Sequence, residues 1–202
     1  MLALIDYRAG NLTSVRKAFA AIGADIATPA LPADLAGARG IIVPGVGHFN
    51  VTASIDTPWR EAIRAAVGAG VPLLGICVGL QFLFDGSEEA PGLPGLGVFG
   101  GACRLLRPAG SERLKVPHVG WNTLSRRGDS RILDGIADEA FAYFTHSYAA
   151  PIVDGTVAET VHGTGFSSVV ERGNVFGAQF HPEKSGDVGL RLLANFVRVT
   201  RC

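Results

Sequence analysis

The sequence predicts an α/β fold: a central, mostly parallel sheet with helices on both faces and some antiparallel additions. Three observations lead there. Short, nearly all-apolar segments alternate with helical periodicity through the first half. Hydrophobic residues make up 48% and charged residues 18%, a balance that favours a packed core over disorder. The 202 residues suit one domain, taken as 1–202, long enough to bury such a core.

Taken in order, residues 2–5 (LALI) read as a buried strand, and Gly10-Asn11 as a turn. Leu12, Val15, Phe19 and Ile22 recur at helical spacing until Gly23. Residues 25–28 read as a second strand, stopped by Pro29, and residues 40–43 as a third, stopped by Pro44-Gly45. Trp59, Ile63, Ala66 and Val67 mark another amphipathic helix, with Thr57 as cap and Pro58 in the first turn. Residues 71–76 are a fourth strand. Strands apolar on both faces and separated by helices belong to a parallel sheet covered on both sides.

The second half changes character. Residues 86–97 are rich in Gly, Pro and acid and read as a loop. Strand-like segments follow at 98–106, 115–124, 141–149, 156–161, 167–172 and 174–180, with Arg172-Gly173-Asn174 as a hairpin turn. From Gly186 onward, Val188, Leu192, Phe196 and Val199 recur at helical spacing.

Lys plus Arg balance Asp plus Glu at 18 each, and the longest basic block is the pair Arg126-Arg127, so neither nucleic acid nor an anionic membrane is an expected partner. Cys77, Cys103 and Cys202 form no CxxC, which argues for a reducing compartment. Neither a leader-like segment nor an apolar run of ~20 residues is visible, so a cytoplasmic protein is expected.

In LLGICVGLQF, Gly75 and Gly79 frame Cys77 where a strand becomes a helix at 78–84. Glycines relieve crowding at such a corner and let its side chain project above the strand end. The helix start favours a thiolate, and the Val78 N–H suits an oxyanion donor. From the pentapeptide alone two readings stand equal: a nucleophile, or a structural cysteine in a glycine turn. A base is available in QFHPE. Pro182 biases His181 toward an extended backbone, which puts His181 and Glu183 on one side, the carboxylate orienting the imidazole. Taken alone, that pair also reads as a solvated histidine beside a solvated acid. His48, His118, His146 and His162 lack metal-type spacing and read as surface or satisfied buried residues, and no metal or cofactor is expected. The zinc-deaminase pattern is half absent, and Gly95-Leu96-Gly97-Val98-Phe99-Gly100 lacks the strand and helix of a dinucleotide site.

GICVGLQ, FHPE and Pro44-Gly45-Val46-Gly47 together resemble the class I (triad) glutamine amidotransferases. KVPHVGWN, YFTHSY and FHPEKS resemble the glutaminase subunits of imidazole glycerol phosphate synthase, in histidine biosynthesis. The resemblance covers roughly Leu4 to Phe196 and implies the family's three-layer fold. It implies Cys77 as nucleophile, His181 as acid/base and Glu183 as its orienter. It implies an oxyanion hole from Val78 and the strand of Gly45, Val46 and Gly47. Gln81, Gly47, Ser147 and Tyr148 would hold L-glutamine. Asn11, Trp121, Tyr143 and Lys184 would meet a (β/α)8-barrel cyclase subunit in a heterodimer, which this length does not accommodate in the same chain. Gln81 also reads as a helix-surface amide and Trp121 as an aromatic core residue. Arg8 departs from the family's usual Gly in DYRAGN, and His48-Phe49-Asn50 departs after PGVG. The competing readings are the amidotransferase subunit of another biosynthetic synthase, a stand-alone γ-glutamyl cysteine hydrolase, and a non-catalytic module on the same fold.

Overall fold

The computed structural model describes residues 1–107 and 115–201, so Cys202 lies outside the described residues. Among them the strands build a nine-stranded sheet. β2 (Ile26–Ala27), β1 (Leu2–Leu4), β3 (Gly40–Val43), β4 (Leu73–Ile76) and β12 (Val175–Ala178) lie side by side and parallel. β11 (Thr164–Arg172), β10 (Thr156–His162), β7 (His118–Arg126) and β8 (Ala140–His146) continue the sheet antiparallel. A smaller sheet joins β5 (Gly86–Ser87), β6 (Ala102–Leu105) and β9 (Tyr148–Ala149).

Strand alternation explains the two cores. Leu2, Leu4, Ile42, Leu74 and Ile76 point to one face, where Val15 and Phe19 of α1 (Leu12–Ala21) meet Leu192 and Phe196 of α4 (Gly186–Val199). Ala3, Ile41, Val43 and Leu73 point to the other, against Ile63 of α2 (Thr57–Gly68) and Leu80 of α3 (Val78–Phe82). Phe19 and Phe196 are fully buried, each side chain contributing ~1.5–3 kcal/mol by leaving water.

Local chemistry moves several boundaries. The cap of α2 is Asp56, whose carboxylate accepts from the Trp59 N–H at 3.3 Å, and Thr57 is already helical. The fourth strand starts at Leu73 because Val71 still closes the helix, its N–H donating to Ala66 O at 3.0 Å. The 86–97 loop contains the short strand β5, which pairs with β6. The hairpin at Gly173-Asn174 is present, with Gly173 at φ 57°. Gly95, in the rejected dinucleotide pattern, has a packing role: a Cβ there would lie 2.0 Å from the Phe84 carbonyl oxygen. Among the described residues no helix is long and apolar enough to cross a membrane, and no cluster of three or more His, Cys, Asp or Glu could hold a metal.

Candidate active site

Three neighbouring parallel strands end at the same edge, and each delivers one part of the site. β3 ends at Val43 and runs into Pro44-Gly45-Val46-Gly47. β4 ends at Ile76 and runs into Cys77. β12 ends at Ala178 and runs into Gln179, Phe180 and His181. The register pairs Val43 with Gly75 and Ala178 with Ile76. Carboxyl ends of parallel strands are where open α/β sheets place their sites.

Cys77 adopts φ 55° and ψ −109°, a left-handed-side conformation that costs a non-glycine residue ~1–3 kcal/mol. The surroundings enforce it. The Cys77 N–H donates to Ala178 O at 2.8 Å. A Cβ on Gly75 would lie 2.3 Å from Gly79 O, and one on Gly79 would lie 1.9 Å from Val43 O. The two framing glycines therefore permit backbone approaches that no side chain survives. The thiol does not stand clear in solvent, as a glycine-framed corner predicts, but is 2% exposed. The PGVG segment lies against the elbow, since a Cβ on Gly45 would meet Tyr7 Oη at 2.6 Å and Val78 Cβ at 2.7 Å. Gln179 Nε2 donates to Sγ at 3.7 Å.

The His181 and Glu183 side chains are 1% and 2% exposed, which removes the solvated reading. Nδ1 lies 2.8 Å from Glu183 Oε1. They meet because Pro182–Lys184 forms a 3-10 turn after the extended His181, rather than along one continuous strand. An ionised carboxylate only accepts, so Nδ1 donates and Nε2 is left for Cys77. Burial alone would lower the imidazole's pKa, but hydrogen bonding and charge from Cys77 and Glu183 outweigh it and raise it to about 10. His181 thus favours its protonated form beside the sulfur, the arrangement that supports a thiolate nucleophile.

Val78 occupies the first position of α3, where a backbone N–H has no partner within the helix. Gly45 is buried, Val46 half-buried and Gly47 exposed at φ 87°. Tyr7 is 5% exposed, and its hydroxyl donates to Pro44 O, pinning the start of this strand. Burial, then the charge on Cys77, pushes the Tyr7 hydroxyl far up, which keeps it a donor. At the far end the Phe49 N–H donates to Glu89 Oε2 at 2.7 Å. Of the departures from the family pattern, His48 caps the following 3-10 turn through Asn50 N, and Arg8 sits at φ 62°, a glycine-favouring conformation.

Gln81 is 2% exposed and not a surface amide. Its Nε2 donates to Tyr148 O at 2.8 Å and to Gln179 Oε1 at 3.2 Å, drawing the Ser147-Tyr148 backbone to the site. Trp121 is 56% exposed and not a core residue. It meets Tyr143 edge-on at 6.1 Å, and Lys184 Nζ lies 5.9 Å from the Tyr143 ring centroid. Asn11 is exposed and caps α1 through Ser14 N. Sequence alone does not single out Gln179, Tyr7 or Glu89. One signal for Gln179 existed: a lone amide interrupting the apolar run VFGAQF.

Glu183 lines a cleft of ≈ 300 Å³ with Ser14, Lys17 and Pro182, whereas a larger one of ≈ 470 Å³ beside β6 and β9, lined by Arg104, Leu106, Ala149 and Phe166, includes none of Cys77, His181 or Glu183. The site is defined by convergent chemistry, not by cavity size.

Residues 3–199 match the family described as glutamine amidotransferase class-I. The chain is 50% identical over 201 residues to the imidazole glycerol phosphate synthase subunit HisH of Deinococcus radiodurans, covering 96% of this chain and 92% of that one. It is 47% identical over 205 residues to the same subunit of Thermococcus kodakarensis, covering 98% and 100%. In fold it is similar to a crystal structure of a glutamine amidotransferase, with TM-score 0.75, 18% identity and 99% of both chains covered. The PurLQS structure from Thermotoga maritima aligns with TM-score 0.75 and 20% identity, over 98% of this chain and 97% of that one. A family match across nearly every residue and relatives close to half identical lead to one assignment: this chain belongs to the class-I glutamine amidotransferase family.

Proposed function

We propose that this chain is the glutaminase subunit of an imidazole glycerol phosphate synthase, acting through Cys77, His181 and Glu183. The observation that carries the reading is the placement of Cys77 and of a buried, Glu183-oriented His181 at the ends of two paired parallel strands. The nearly full-length similarity to HisH subunits supports the biosynthetic role.

Cys77 Sγ attacks the side-chain amide carbon of L-glutamine, and the carbon–oxygen π electrons move onto oxygen. The Val78 N–H and one N–H from Gly45, Val46 or Gly47 receive that oxyanion, each donor lowering the barrier by ~2.7–4 kcal/mol. His181 passes its proton to the departing nitrogen, so ammonia leaves and a glutamyl thioester remains. Water then attacks the thioester, His181 takes a water proton, and the sulfur leaves as glutamate is released. Gln81, Gly47 and the Ser147-Tyr148 backbone hold the amino-acid end of the substrate.

Ammonia released into neutral water is mostly protonated and loses its nucleophilicity, so a synthase gains from passing it directly to a second active site. We assign that site to a (β/α)8-barrel cyclase subunit that makes imidazole glycerol phosphate and the aminoimidazole carboxamide ribotide. The docking face is the outer side of β7 and β8. Val119, Trp121 and Phe141 are 57%, 56% and 58% exposed there, and Tyr143 and Lys184 adjoin them. An apolar stripe of this kind marks an interaction surface. A glutaminase assay with and without the cyclase subunit is the test. Low turnover alone, higher turnover in the complex, and none in Cys77→Ala are expected. Glutamine hydrolysis by Cys77→Ala would remove the nucleophile assignment, and full partner-independent turnover would favour a stand-alone hydrolase.

A further inference from the structure

A chain of polar groups runs from the β7–β8 hairpin to the nucleophile, and hydrogen-bond chemistry gives each link a direction. His146 Nδ1 lies 3.0 Å from the Tyr148 carbonyl oxygen. A carbonyl only accepts, so Nδ1 carries the proton. Burial, followed by the neighbouring His118, lowers the His146 pKa to about 3, so the ring is neutral and its Nε2 accepts. The group facing that Nε2 is His118 Nδ1 at 3.2 Å, which must donate. Burial, followed by His162, lowers the His118 pKa to about 4. Its Nε2 therefore accepts, and Asn122 Nδ2 stands 3.3 Å away. Asn122 is held by a second donation to Val161 O at 3.0 Å. The His118 ring stacks on His162 at 4.0 Å and on Phe144 at 4.8 Å, which fixes its plane.

The chain ends on an oxygen that is then fully occupied. Tyr148 O accepts from His146 Nδ1 and from Gln81 Nε2 at 2.8 Å, which uses both lone pairs. The second Gln81 N–H goes to Gln179 Oε1 at 3.2 Å, and Gln179 Nε2 goes on to Cys77 Sγ. Gln81 is left with Oε1, a buried acceptor without a partner. That oxygen calls for a donor on the substrate. Four residues of helix advance ~6 Å past Cys77, about the reach of glutamine from its side-chain amide carbon to its α-nitrogen.

We propose that His118 and His146 are positioning residues for the substrate subsite: they fix the Tyr148 carbonyl, which holds the Gln81 amide with Oε1 facing the α-ammonium group of glutamine. The inference rests on the glutaminase reading. Without the His146 donor, the Tyr148 carbonyl loses one of its two anchors, and the Gln81 amide that donates to it shifts with it, carrying Oε1 out of place. The loss falls on substrate binding, and the chemistry at Cys77 is untouched.

Three substitutions at one position separate this from a packing role, measured as glutaminase kinetics in the assembled complex with the cyclase subunit. His146→Asn places an amide nitrogen near the position of Nδ1 and keeps the donor to Tyr148. His146→Gln places it near Nε2 and loses that donor, and His146→Leu loses both. His146→Gln and His146→Leu are expected to raise KM for glutamine ~10-fold, with kcat and the rate of Cys77 alkylation by iodoacetamide within ~3-fold of the parent. His146→Asn keeps KM within ~3-fold. Equal KM in all three, or a joint fall of kcat and alkylation rate, overturns the proposal. Nitrogen-15 NMR of the unsubstituted chain gives a reading that does not depend on any variant folding. Both imidazoles must carry the proton on Nδ1, and an Nε2–H tautomer at either one overturns the chain. If the parent complex hydrolyses no glutamine, the glutaminase reading fails, while the tautomers still decide the donor chain.

Discussion

The backbone N–H of His181 donates to the carbonyl of Tyr143 at 2.9 Å. Ser185 closes the same loop, its Oγ accepting from Tyr143 N at 2.9 Å and donating to His181 O at 2.7 Å. Both backbone groups of the proposed base are therefore tied to β8, the strand that carries Tyr143 on the proposed docking face. Displacement of β8 by a partner would be felt at His181.

Ser185→Ala tests that tie. The Tyr143 N–H and the His181 carbonyl lose their shared partner in a buried setting, at a cost of about 1–3 kcal/mol in unfolding free energy. A base released by a fraction of an ångström also reacts less well, and kcat is expected to fall ~10- to 100-fold. Urea unfolding and steady-state glutaminase kinetics read the two effects. Unchanged kcat in a destabilised variant would sever the positional link.

The protonation of His181 makes stability depend on pH. Against the downward pull of burial, Cys77 and Glu183 raise its folded-state pKa to about 10, whereas an unfolded histidine titrates near ~6.5. The folded protein thus binds this proton more tightly. The resulting stabilisation is complete below pH ~6.5 and is lost as pH rises toward the folded-state value. Glu183→Gln removes a carboxylate that supports the raised value. The difference in urea midpoint between parent and variant should shrink as pH is raised through this window. The same variant should lose ~10²–10⁴-fold in kcat. A midpoint difference that grows with pH would contradict the sign.

Arg8 occupies φ 62°, where an L-residue is held at a cost of ~1–2 kcal/mol. Arg8→Gly relieves that cost but makes the unfolded chain freer by ~0.4–1 kcal/mol, for a net gain of roughly 0.5–1 kcal/mol. Arg8→Ala keeps the strain and should not stabilise. Calorimetric melting of the pair distinguishes backbone conformation from loss of a surface charge, since both variants remove the guanidinium.

The motifs were legible because their chemistry is local. Gly75, Cys77 and Gly79 sit within one corner, and His181 and Glu183 within one turn. What was not legible is which strands are neighbours. Cys77 meets His181 because β4 pairs with β12, and nothing local states that pairing. Burial is not legible for the same reason: Gln179, past the end of β12, donates to Cys77 Sγ, and PGVG, past the end of β3, packs against Val78 and Gly79 beside it. His118 and His146 looked like any buried histidines, because their role lies in bonds across the β7–β8 hairpin and to Tyr148 O. Conversely, Trp121 alternates correctly on β7, but the sequence does not tell which face the rest of the molecule leaves open.

That open face yields the last prediction. Trp121 is 56% exposed, so Trp121→Ala should leave the isolated chain within about ±0.5 kcal/mol of its original stability. A large aromatic at the centre of an interface is a different matter, where truncation costs ≥ ~2 kcal/mol of binding, or about 30-fold in Kd. Titration calorimetry against the cyclase subunit should therefore show a weakened complex for Trp121→Ala. Exposure alone is not the criterion: Leu31 is 62% exposed but follows β2, at the opposite edge of the sheet from β8. Leu31→Ala should bind the partner as the parent does. Equal losses in both variants would mean that general surface hydrophobicity drives association, and an unchanged Kd for Trp121→Ala would move the docking face away from β7 and β8.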